Sequence, residues 1–206
     1  MTEHTVLSSR KLIQSFLAEF IGTFFLSLVI LTLVGGARSE WTPVVVGALI
    51  GLMIYLVGGI SGGQFNPSVT VGLVSAGLLS WKHALVNICG QVVGALIGFW
   101  ISFQFLAMEV EFPAPVSNEW LYELIGAFLL SFAVAAVVRK HVPPALSGFV
   151  VGLALTMGIL LSESVSGGVL NPAIALAGQI YSWHYIIAPL IGGVLAQYAY
   201  LALVRE

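Results

Sequence analysis

The chain has 206 residues, 59% hydrophobic and only 8% charged, with a formal net charge of −2. Soluble domains carry about 25% charged residues, so this composition excludes a water-facing surface and indicates an integral membrane protein. The charge balance excludes a polybasic face for nucleic acid, and a single cysteine, Cys89, excludes an internal disulfide and a cysteine metal cluster.

The start, MTEHTVLSSRKL, lacks the basic, apolar and cleavable pattern of a removable signal peptide. Six stretches are apolar and long enough to span about 30 Å of hydrocarbon as helices. In chain order they are roughly 12–35, 43–60, 83–107, 120–138, 145–162 and 184–204. Two further apolar stretches, roughly 67–78 and 172–181, are too short to span. At ~1.5 Å per residue each reaches half-way across as a helix. The third span holds Cys89, read as a small packing residue, and Gly90, Gly94 and Gly98 at helix-packing spacing. Gly192, Gly193 and Ala196 repeat that stripe in the last span. The histidines, His4, His83, His141 and His184, stand at segment ends and carry no metal-ligand spacing.

Each short stretch follows a similar decapeptide: SGGQFNPSVT at 61–70 and SGGVLNPAIA at 166–175, 105 residues apart. Glu19-Phe-Ile-Gly-Thr-Phe24 matches Glu123-Leu-Ile-Gly-Ala-Phe128 at an offset of 104, and Ser80-Trp81 matches Ser182-Trp183 at 102. The chain therefore reads as one transmembrane domain, 1–206, built from two copies of helix, helix, half-helix, helix at about 12–107 and 120–204. An odd number of spans per copy inverts the second copy in the membrane, an architecture that puts a site near the midplane. Arg10, Lys11, Lys82, Arg139, Lys140 and Arg205 fall on one side, and Arg38 with Glu40, Glu109, Glu111, Glu119 and Glu163 on the other. The positive-inside rule then makes both termini cytoplasmic in a multi-pass protein of the cell membrane.

Asn66-Pro67 and Asn171-Pro172 are helix starts, because proline suits the first turn and asparagine caps it. Inversion brings these two starts together at mid-depth, with two side-chain amides as donors and two positive half-helix ends. A neutral hydroxylated molecule is accepted there and a cation repelled. The preceding Ser-Gly-Gly backbone is tolerated at that depth only where protein or water surrounds it. Glu19 and Glu123, acids at equivalent places in the two copies, read as acceptors that support those loops rather than as transport groups.

The paired decapeptides and the Glu19 and Glu123 elements resemble the aquaporin, or major intrinsic protein, family over essentially the whole chain. The resemblance implies an all-α membrane protein of six transmembrane helices plus two re-entrant half-helices in an inverted repeat. It also implies a homotetramer in the lipid bilayer with one pore per subunit, conducting water or small neutral solutes passively, without cofactor, metal or catalysis. Its pore-centre motifs fall on Asn66, Pro67, Ser68 and on Asn171, Pro172, Ala173, the first Asn-Pro-Ser where Asn-Pro-Ala is usual. Its selectivity constriction falls on Val46, Ile159, Gly168 and Ile174. Ile174 stands where the family has arginine, Gln64 where it usually has histidine, and Ala175 where glycerol facilitators usually have aspartate. Neither the water-selective nor the glycerol subgroup fits. The expectation is a passive channel for polyol-, urea- or metalloid-acid-like neutral solutes, water also passing, through a wide apolar constriction. An ordinary water pore, a secondary transporter and a non-conducting scaffold stay open as alternatives, separable by flux in proteoliposomes.

Overall fold

The computed structural model describes residues 8–34, 40–106 and 118–204. The expectations placed on His4, Arg38, Glu109, Glu111 and Arg205 lie outside the described residues. The elements are α1 (Ser9–Val34), α2 (Thr42–Ser61), short α3 (Pro67–Ser75), α4 (Trp81–Leu106), α5 (Glu119–Val138), α6 (Ser147–Ser166), short α7 (Pro172–Ala177) and α8 (Trp183–Val204). A 3-10 turn, Pro144–Leu146, leads into α6, and no strand occurs among the described residues. Six helices, all but α3 and α7, are long and apolar enough to cross a membrane.

Ends differ from the sequence expectation where a single backbone angle decides. The span expected to stop at 162 runs on to Ser166, because the first left-handed residue is Gly167 at φ 82°. Both short helices stop sooner than their apolar runs. After α3, Gly77 takes φ 70°, and Leu78 N–H bonds to Leu73 O at 2.9 Å. After α7, Gln179 does the same at φ 59°, and Ile180 N–H bonds to Ala175 O at 2.9 Å. Both are left-handed caps that satisfy terminal carbonyls, so Leu78 and Ile180 fold back over helices that the apolar pattern alone would have extended.

Glycines set which helices touch. On α4, a Cβ at Gly94 would lie 2.4 Å from Phe20 O and 3.0 Å from Phe24 N of α1. On α8, a Cβ at Gly192 would lie 2.3 Å from Leu124 O and 3.1 Å from Phe128 N of α5. Only hydrogen fits, so α1 with α4 and α5 with α8 pack as parallel pairs at backbone contact. Gly47 and Gly51 of α2 meet Gly152 and Gly148 of α6 in antiparallel register and join the two halves.

These contacts correct the internal register. Gly94 and Gly192 do the same job 98 residues apart, not at the 102 that Ser80-Trp81 and Ser182-Trp183 gave. One helical turn separates the two alignments, so the Ser-Trp match is not a match in space. Cys89 is exposed on the outer face of α4, next to buried Gly90, rather than packed inside.

The starts of α1 and α4 and the end of α5 lie at one end of the bundle, with Arg10, Lys11, Lys82, Arg139 and Lys140. Glu40, Glu119 and Glu163 lie toward the other end. Much of the outer surface is large and apolar, including Phe105, Phe149 and Leu203, as hydrocarbon requires.

Candidate functional site

The two short helices start face to face. Asn66 is extended at φ −157°, and its Oδ1 accepts from Ser68 N at 2.9 Å with Pro67 in the first turn. Asn171 is extended at φ −140°, and its Oδ1 accepts from Ala173 N at 3.0 Å with Pro172 in the first turn. Ser68 adds a second bond to the first asparagine, Oγ to Oδ1 at 2.8 Å, which an alanine there would lack.

The amides cross-link the two loops. Asn66 Nδ2 donates to Leu170 O, and Asn171 Nδ2 donates to Phe65 O, each at 2.9 Å. Each amide thus spends one N–H on the opposite copy and keeps one, rather than offering both. The accepting carbonyls belong to bulky residues in the left-handed region, Phe65 at φ 49° and Leu170 at φ 52°. Such a backbone costs about 1–3 kcal/mol per residue and persists only where surroundings hold it.

Two carboxylates do the holding. Glu19 Oε2 accepts from Phe65 N at 2.6 Å, and Oε1 from Gln64 N at 3.0 Å and Ser61 Oγ at 2.6 Å. Gln91 Nε2 adds a fourth bond to Oε2 at 2.7 Å. Glu123 repeats the grip with three donors: Leu170 N at 2.6 Å, Val169 N at 3.0 Å and Ser166 Oγ at 2.6 Å. Both acids are fully buried. Burial of unpaired backbone N–H groups is costly, so each loop is tied to its carboxylate.

A cavity of about 60 Å³ runs past this junction. Asn66, Asn171, Gln64 and Phe65 are in its wall. Val46 of α2, Ile159 of α6, Gly168 of the loop after it and Ile174 of α7 all line the same cavity. Pro67, Ser68, Pro172 and Ala173 are buried but lie behind the wall. The rest of the wall is almost wholly aliphatic, with Leu26, Ile50, Leu130 and Leu155 among it. Glu19 and Glu123 are not in the wall, so they reach the path only through the loops they bind.

Sequence reasoning missed Phe65 and Leu170, whose left-handed backbones aim the cross-linking carbonyls. It also missed Asn87 and Gln91 of α4. Their signal was available: two carboxamides inside an otherwise apolar span mark a buried polar contact. A second buried group joins Glu119, His184 and Tyr185, whose hydroxyl donates to Ser166 O at 2.9 Å. Among the described residues no cluster of three or more His, Cys, Asp or Glu side chains could hold a metal.

Comparison with known proteins agrees with this geometry. The family model for major intrinsic protein matches residues 5–200. Aquaporin NIP1-1 of Zea mays is 29% identical over 91% of this chain and 74% of its own length. Glycerol uptake facilitator protein-like 6 of Lactiplantibacillus plantarum is 28% identical over 90% of this chain and 95% of its own length. The aquaglyceroporin from Plasmodium falciparum superposes with a TM-score of 0.77, covering 92% of this chain and 95% of that one at 22% identity, and shares the fold. Passive conduction, not enzymatic turnover, is the work of such proteins. The chain belongs to the major intrinsic protein family and is a multi-pass membrane channel for water and small solutes.

Proposed function

We propose that the channel passes small neutral solutes of the polyol, urea or metalloid-acid kind, with water, through an apolar constriction of Val46, Ile159, Gly168 and Ile174. The observation that carries this reading is the wall itself: those four residues line one cavity with the two asparagines. None of the three side chains offers a hydrogen bond, and Gly168 contributes no side chain. A permeant sheds water there against hydrocarbon, which costs polar groups free energy. Absence of a long cationic side chain at 174 leaves a mouth wide enough for a solute to keep part of its shell. The likeness to a glycerol uptake facilitator-like protein supports a solute beyond water. Glu19 and Glu123 act as structural supports of the re-entrant loops, and the subunit assembles as a homotetramer.

Stopped-flow light scattering on proteoliposomes tests the reading. Glycerol and urea fluxes above those of protein-free vesicles, linear in gradient and independent of ions, are expected. Flux of water alone returns the channel to an ordinary water pore, and ion-coupled flux makes it a transporter. Asn66→Leu with Asn171→Leu removes both N–H donors and both caps, each cap worth about 0.5–2 kcal/mol. We expect assembled double variant to lose most solute flux; unchanged flux removes the asparagines from the mechanism.

Both termini face the cytoplasm of the cell membrane in this proposal, because the basic residues gather at one end. In a Cys89→Ala background, a membrane-impermeant maleimide applied to intact cells should label Glu111→Cys and spare Lys140→Cys. The opposite pattern reverses the orientation.

A further inference from the structure

Gln64 lines the cavity beside Asn66, and its carboxamide is held at both ends. Its Nε2 donates to Ser61 O at 3.0 Å. Its Oε1 accepts from Asn87 Nδ2 at 2.8 Å and from Thr70 Oγ1 at 3.1 Å. The assignment of N and O follows from the partners, since a backbone carbonyl only accepts. Asn87 is oriented in turn. Its Nδ2 faces Ser61 O at 3.4 Å, and its Oδ1 accepts from Ser15 Oγ at 2.7 Å. Ser15 has a single hydrogen, so His83 Nε2, 2.7 Å from the same oxygen, is the donor to it. The chain His83, Ser15, Asn87, Gln64 therefore has one polarity, and it leaves one N–H of Gln64 without a protein partner at a residue of the cavity wall.

The other half of the molecule lacks this device on the same scaffold. Val169 replaces Gln64 at the offset of the two motifs and lines the cavity in its place. Tyr185 takes the position of Asn87, 98 residues on, and Glu119 that of Ser15. Tyr185 still reaches the loop carbonyl, Ser166 O, but there is no amide for it to orient. Ala175 replaces Thr70. Apart from Asn171, the polar side chains of the wall, Thr42, Gln64 and Asn66, belong to the half that enters with α3.

We propose that Gln64 is a specificity-determining residue of the channel, a third amide N–H donor beside Asn66 and Asn171 that binds an oxygen of a neutral solute, with Asn87 as the positioning residue that keeps its nitrogen toward the path. The proposal rests on the channel reading above and adds the group that favours an oxygen-bearing solute over water. A solute with several oxygens engages Gln64 and Asn66 together, whereas one water engages them singly.

The test is the ratio of glycerol to water permeability in proteoliposomes of the full chain. Gln64→Met keeps the length and removes the donor, and we expect the ratio to fall at least fivefold. Asn87→Leu lies outside the wall; it frees the Gln64 amide to turn, and the ratio should fall at least twofold. A merely structural role lowers both permeabilities together and leaves their ratio. An unchanged ratio in assembled Gln64→Met overturns the proposal. Should that variant not assemble, Gln64→Glu, which keeps acceptors for Asn87 and Thr70 while removing the donor, decides on the same criterion. An unchanged ratio in Asn87→Leu with a fallen ratio in Gln64→Met overturns the positioning part alone. Wild-type vesicles with no flux above protein-free ones refute the channel reading itself, a result distinct from any of these.

Discussion

Glu19→Gln is expected to prevent assembly of the channel, not merely to slow it. The carboxylate accepts four hydrogen bonds, from Ser61 Oγ, Gln64 N, Phe65 N and Gln91 Nε2. A glutamine amide offers one oxygen and turns an NH2 group against the remaining donors. Each buried donor left without a partner costs about 1–3 kcal/mol. The left-handed backbone at Phe65 then loses its restraint, and that strain is itself about 1–3 kcal/mol. Phe65 O receives the amide of Asn171, so damage to the first loop reaches the second. The total, roughly 3–6 kcal/mol, is a large part of the stability of most domains. In detergent, Glu19→Gln should lose monodisperse protein or melt at least about 10 °C lower. Glu123→Gln strands fewer donors, because no glutamine side chain joins its three bonds, and should lose less. Equal stability of Glu19→Gln and wild type removes the carboxylate from any supporting role.

Ile174→Arg should change what passes rather than whether the protein folds. Ile174 sits in the first turns of α7, is 5% exposed and lines the cavity with Val46, Ile159 and Gly168. An arginine is longer, keeps its charge and brings five donors into an aliphatic ring. It narrows the mouth and replaces a solute's lost hydration for small acceptors only. We expect glycerol permeability to drop relative to water by about tenfold, which corresponds to ~1.4 kcal/mol in the relative barrier. Stopped-flow measurement of both permeabilities on one preparation reads the ratio directly. An unchanged ratio in an assembled Ile174→Arg protein takes position 174 out of the constriction, and the argument for the solute class falls with it.

The six spans, the two helix starts at Asn-Pro and the doubled architecture were all legible in the chain itself. Each rests on local physics: apolar length against bilayer thickness, proline in a first turn, asparagine as its cap. The positions that meet at the cavity wall were legible only through the family resemblance, since nothing local brings Val46 and Ile174 together. Cys89 was misread because an apolar run does not tell which face of the helix looks inward; the glycine contacts of α4 decide that.

Local pattern also overshot at α3 and α7. Leu78 and Ile180 look like helix continued, yet Gly77 and Gln179 turn the chain back. The Ser-Trp pairs suggested one register for α4 and α8, while the glycines packed against Phe20 and Leu124 impose another, one turn away. Composition and spacing determined a membrane protein made of two inverted copies with paired half-helices, because those properties belong to single segments and their order. The tertiary structure alone decided the crossed bonds from each asparagine to the opposite loop, the left-handed carbonyls that receive them, and the chain from His83 to Gln64. Each joins groups that stand far apart along the backbone, and only helix packing sets the few ångströms on which a hydrogen bond depends.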